Sequence, residues 1–131
     1  MSWQFMDYKT EDGRNLIKEW YDSEDYGVQA QFDAILDMLE ARDDWDGCKK
    51  VCELKRKHVG LSELRFSREG NSLPKWRYRP VGFFILNYRE FVLVLGCKKW
   101  LGLYVPPGAF DTALDFKWKF EEGRGSIHEH S

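Results

Sequence analysis

Residues 91 to 97, Phe-Val-Leu-Val-Leu-Gly-Cys, run without a polar interruption between Glu90 and Lys98. Seven apolar residues fall far short of the about 20 needed to cross a bilayer and match the length of a strand. An unbroken run of this kind, rich in Val and Leu, describes a central strand. A chain that holds one must build a sheet around it and cover that sheet with helices.

The neighbouring residues supply these parts. Residues 61 to 66 alternate, with Leu64 and Phe66 on one face and Glu63 and Arg65 on the other. Residues 69 to 74 (EGNSLP) make a turn. The strand after it, residues 75 to 86, opens with Lys75, Arg77 and Arg79 on one face and Trp76 and Tyr78 on the other, and Pro80 marks an edge or a bulge. Asn87 to Glu90 turn this strand into the central one, which ends at Lys98 and Lys99. Upstream, residues 3 to 8 alternate as a short first strand. Leu16, Ile17, Trp20 and Tyr21 then recur at helical spacing within residues 11 to 21. Val28, Phe32, Ile35 and Leu39 predict a longer helix over residues 26 to 42, with Asp33, Asp37 and Glu40 on its other face. That apolar stripe is core rather than a partner groove. Residues 48 to 58 are basic and read equally as a loop or a helical turn. Pro106 and Pro107 introduce a last helix through Ala109, Phe110, Ala113 and Leu114. The expectation is one α+β domain over residues 1–122, with helices on one face of a twisted, mainly antiparallel sheet, and a frayed, flexible tail at 123–131.

The chain of 131 residues carries a net charge of −2, but the charge is unevenly placed. Residues 1 to 47 sum to −9, residues 48 to 100 to +9, and the remainder to −2. A basic segment laid on strands can present a positive face to phosphate, or it can be neutralised by the acidic helices. Three cysteines, Cys48, Cys52 and Cys97, make a poor disulfide framework, and with no basic start or apolar leader at the N-terminus the expected compartment is a cytoplasm. A mean hydropathy of −0.59 speaks against a membrane protein.

With helices on one side of the sheet, the other side is where Arg65, Arg79, Lys98 and Lys99 would converge. RNA cleavage requires activation of a 2′-hydroxyl, stabilisation of an anionic phosphorane and protonation of a leaving oxygen. Arginine suits the second task because its planar fork donates two parallel hydrogen bonds. Trp76, Tyr78 or Trp100 could stack on splayed bases. Solvated strand surface, with Arg65 pairing with Glu63 or an acidic helix, is the plain alternative.

Gly60-Leu-Ser-Glu-Leu-Arg-Phe66, then Tyr78-Arg79 before an aromatic strand, then residues 91 to 99 ending in Lys98-Lys99, then a Pro-initiated helix with Ala113, together resemble the RelE/HigB toxin family of type II toxin–antitoxin pairs. More narrowly, the pattern resembles the phage-derived HigB-like branch of that family. The resemblance implies a RelE/ParE-like α+β fold with two N-terminal helices on the sheet and a C-terminal helix. It also implies metal-independent endoribonuclease cleavage of mRNA on the ribosome, a cognate antitoxin as partner, and no cofactor. Carried over by motif, Arg65 is the strand arginine, Arg79 stabilises the phosphate, and Lys98 or Lys99 is the basic group at the strand end. Lys75, Arg77, Trp76, Tyr78, Lys55 and Lys57 would line the RNA. Glu63 stands where family lysines occur and Phe110 near the place of a family tyrosine; Phe110 and the acidic pI of 5.9 motivate a second reading: a non-catalytic binding protein of the same fold, engaging an antitoxin or nucleic acid. A homodimer is compatible with either.

Other signals are weaker. Cys48 and Cys52 lack zinc-site spacing, and His128 and His130 form an H-x-H in the tail, so no metal site is expected. His58 beside Lys55, Arg56 and Lys57 reads as a general base near phosphate or as one more cation. Trp45 and Trp100, if exposed, would mark a contact for antitoxin or ribosome. No glycine-rich phosphate loop or nucleophile elbow is present.

Overall fold

A computed structural model describes residues 2–68 and 76–131. The turn expected at 69–74 and Lys75 lie outside the described residues. The chain begins with strand β1 (Gln4–Lys9), followed by helices α1 (Leu16–Ser23) and α2 (Tyr26–Glu40). Asn15 and Asp25 cap these helices by accepting from the backbone N–H groups of Lys18 and Val28, at 3.0 Å each. The basic segment contains a short strand, β2 (Val51–Glu53), and a single 3₁₀ turn at Arg56–His58. Then come β3 (Ser62–Leu64), β4 (Phe66–Ser67), β5 (Arg77–Tyr78), β6 (Val81–Ile85), β7 (Glu90–Leu95), β8 (Lys98–Trp100) and β9 (Leu103–Val105). Helix α3 (Ala109–Glu121) and strand β10 (Ser126–Glu129) complete the order. The chain is therefore α+β.

Six strands form the main sheet in the order β10-β1-β7-β6-β3-β2, in which only β1 and β7 run parallel. Strand β7 alternates between two buried layers. Phe91 and Leu93 join Phe5, Ile17, Val28, Phe32, Ile35 and Leu39 beneath α1 and α2, while Val92 and Val94 join Tyr8, Val81, Phe83, Ala109 and Ala113 beneath α3. The run at 91–97 is apolar throughout because both faces of its strand are covered. This corrects the expectation that helices lie on one face only: α3 covers the other. Gly82 on β6 is required by close approach, since a Cβ there would fall 1.9 Å from the backbone oxygen of Val92 on β7.

The tail is also different from expectation. Ser126–Glu129 is a strand in antiparallel register with β1, and the Nδ1 of His130 lies 2.7 Å from the Oδ1 of Asp7. Its alternation is mostly polar because it is an edge strand whose partner supplies the ladder. Trp45, expected as a possible surface contact, is buried between Trp3, Phe5, Phe84 and Phe91.

A second sheet of four short strands has the order β4-β5-β8-β9. Three chain segments cross from the main sheet into it at one level: Arg65 between β3 and β4, Arg79-Pro80 between β5 and β6, and Gly96-Cys97 between β7 and β8. Backbone bonds hold the seam, from Leu64 N–H to the Pro80 oxygen at 2.8 Å and from Arg79 N–H to the Cys97 oxygen at 2.7 Å.

Candidate nucleic-acid interface at the seam between two sheets

Period-two alternation decides which side chains meet at the seam. Glu63 and Arg65 lie on the face of β3 that also carries Val81 and Leu61 in the layer under α3. On β5, Arg77 stands opposite Lys99 of β8, and Lys99 stands opposite Tyr104 of β9. Arg77, Lys99 and Tyr104 therefore share one face of the second sheet. The Nζ of Lys99 lies 5.3 Å from the centre of the Tyr104 ring, and that ring packs on Phe110 of α3 at 4.7 Å. The first turn of α3, after Gly108, has no side-chain cap among the described residues.

At the centre sits Glu63, 2% exposed. Its Oε1 accepts from the Nε of Arg65 at 3.0 Å, and the Nη2 of the same guanidinium lies 2.9 Å away as an ion pair. Its Oε2 is buried without a hydrogen-bond partner. Burial, the largest single effect, would lower the Arg65 pKa, but the hydrogen bond to Glu63 and the charge of Glu63 together outweigh it and hold the guanidinium above its ordinary value. Arg79 is lowered, by burial first, with Glu63 opposing that effect and Arg65 adding to it. Burial pushes the Tyr104 phenol up; Glu63 and Cys97 reinforce this, and Arg79 and Arg65 oppose it. Burial, then the charge of Glu63, pushes the Cys97 thiol up to about 12. One carboxylate and two guanidiniums thus bear on the same phenol.

The site residues expected from sequence divide accordingly. Arg65, Arg79, Lys99 and Arg77 come to one end of the α3 side. Lys98 does not: adjacent strand residues point to opposite faces, and its Nζ lies 3.6 Å from the Oε2 of Glu24 and 4.7 Å above the Trp76 ring. Trp76 packs on Trp100 at 5.8 Å, and Tyr78 is buried in a stack with Phe66 at 5.3 Å. Both face away from Arg77, Arg79 and Lys99, so neither stacks bases beside those cations. Lys55 and Lys57 are exposed on the rim, with Lys57 3.7 Å from Asp111. His58 bonds the same carboxylate at 2.7 Å and packs edge-on to Phe110 at 5.4 Å. That bond first, then Lys57, holds the Asp111 carboxyl below its ordinary range.

Tyr104 is the residue that sequence reasoning missed. A signal existed in Leu101-Gly102, a two-residue turn with both φ values positive that folds β9 back onto β8. Among the described residues no three His, Cys, Asp or Glu side chains gather as a metal-holding group, and the three cysteines are free. His128 bonds Ser126 and His130 bonds Asp7. No helix among the described residues is long and apolar enough to cross a membrane. The arrangement can bind an anion between two guanidiniums and an ammonium and offer it a phenolic proton. Compared with family models, with curated proteins and with solved structures, the chain matches none.

Proposed function

We propose that this chain is a RelE/HigB-like toxin: a metal-independent endoribonuclease that cuts mRNA on the bacterial ribosome and is neutralised by a cognate antitoxin. The observation that carries the reading is the convergence of Arg65, Arg79, Lys99 and Tyr104 at the seam, where the motif residues of the resemblance meet a proton donor on β9. Arg79 and Arg65 would face the phosphate and Lys99 its flanking backbone. In the reaction, the 2′-oxygen loses its proton to solvent and bonds to phosphorus, while the bond from phosphorus to the 5′-oxygen breaks. The departing oxygen takes the Tyr104 proton, and water returns a proton to the phenolate. The products are a 2′,3′-cyclic phosphate and a 5′-hydroxyl. Phe110, which lacks a hydroxyl, serves as the wall on which Tyr104 rests. Exposed Leu101, Leu103 and Val105, beside Trp100, offer the antitoxin an apolar strip outside the basic face.

The test is induction of the wild-type chain in bacteria beside Arg79→Ala and Lys99→Ala at matched soluble levels, followed by mapping of cuts on ribosome-bound mRNA. Removing one charge-stabilising donor should slow cleavage about a hundredfold or more and relieve growth arrest. Normal growth with folded wild-type protein would overturn the ribonuclease reading in favour of a non-catalytic binding protein.

A further inference from the structure

Among the described residues Glu63 is the acidic group at the centre of the basic cluster, and its placement is costly. A carboxylate buried to 2% exposure is repaid only by complete hydrogen bonding, yet here the Arg65 guanidinium meets Oε1 alone while Oε2 has no partner. Val81 on β6 and Cys52 on β2 stand opposite Glu63 in the sheet and Leu61 lies two residues earlier, so an uncharged side chain would suit the same position. Stability does not explain the acid. What it does is specific. Glu63 and Arg65 are two apart on one strand face, so the carboxylate reaches back to the guanidinium and fixes its plane. Its charge also opposes the mutual repulsion of Arg65 and Arg79, which act on each other across the seam.

We propose that Glu63 is a positioning residue: its buried carboxylate holds the Arg65 guanidinium in the orientation that meets the phosphate and keeps Arg65 and Arg79 close enough to share one anion. This inference rests on the ribonuclease reading and concerns the same site. Glu63 is sealed from solvent and does not touch RNA. It acts through Arg65, at the expense of one unit of positive charge facing the ligand.

That trade gives opposite signs for binding and rate. Glu63→Gln keeps the shape and removes the charge. A short RNA oligonucleotide should then bind two- to fivefold more tightly at low salt, with a salt slope steeper by about 0.7, the value for one further counterion on a single strand. Single-turnover cleavage on mRNA-programmed ribosomes should meanwhile fall at least about tenfold. Glu63→Gln/Arg65→Lys should cleave no more slowly than Arg65→Lys alone, because the first residue works only through the second. Parallel losses of binding and rate, additive losses in the double variant, or an unchanged rate would each overturn the proposal. Should Glu63→Gln not fold, Arg65→Lys decides: the proposal expects slowed cleavage at retained affinity, and wild-type cleavage overturns it. A wild-type chain that cleaves nothing overturns the ribonuclease reading itself, an outcome separate from all of these.

Discussion

Replacing Phe32 by alanine tests the packing argument where it is strongest. Phe32 is fully buried on α2, and its ring lies 5.3 Å from Trp20, 5.8 Å from Tyr21, 6.1 Å from Phe66 and 6.0 Å from His130. Those partners come from α1, from the second sheet and from the residue after β10, so one ring ties three parts of the molecule together. Truncating a buried phenylalanine costs about 3–5 kcal/mol, and the penalty grows with the cavity that remains. Here the walls are themselves rings held by a helix and a strand, so collapse is limited and four ring contacts are lost. The expected loss is therefore at the upper end, about 4–5 kcal/mol. In a urea titration followed by tryptophan fluorescence, with a slope of about 2 kcal/mol per molar, the midpoint should fall by about 2 M. Leu103→Ala is the matched control, since Leu103 is 73% exposed and should change stability by less than about 0.5 kcal/mol. A loss at Phe32 below about 1.5 kcal/mol, or one indistinguishable from the control, would refute the claim that this ring sits in an unyielding cage.

Thiol accessibility should divide the cysteines: Cys48 and Cys52, both partly exposed, react with an aromatic disulfide reagent at pH 8, while Cys97, buried with its thiol pushed up to about 12, reacts only on unfolding. Three equally fast thiols would contradict the seam packing. At high pH, Tyr21 should contribute to a loss of stability, alongside Cys97. Burial, then its 2.7 Å bond to Asp33, raises its phenol from 10.0 to about 12, so its contribution is complete below pH 10 and lost as the pH rises through 12. Tyr21→Phe should flatten that part of the stability profile, and an unchanged slope would show that the bond contributes nothing.

The parts that sequence made legible were those set by local periodicity. The α2 stripe was expected over residues 26 to 42 and is helical over Tyr26–Glu40, and the apolar run from residue 91 lies in the middle of the main sheet. Strand β10 escaped notice because Ser-Ile-His-Glu carries no burial pattern of its own; its stability comes from β1, more than a hundred residues away. The cations of the site are legible by type, but it is the strand β8, running through both lysines, that sends Lys98 and Lys99 to opposite faces. The alternation of Arg77 and Arg79 with Trp76 and Tyr78 already set the aromatics on the opposite face. The role of Glu63 could not be read locally, because nothing in Glu-Leu-Arg says that the acid would be sealed and the arginine left 45% exposed.

The parallel pairing of β1 with β7, completed by β10, also fixes when this sheet can form. Strand β1 is made before both of its partners, which lie in the last third of these 131 residues. Helices α1 and α2 can coil early, but the layer they cover stays open until residue 90 and beyond has been made. Folding must then close loops of great length before any ladder stabilises β1, which places this domain among slow folders for its size. Through that interval β1 is an exposed strand with Phe5, Met6 and Tyr8 available to any neighbouring chain, so the yield of folded protein should depend on how quickly synthesis reaches β7.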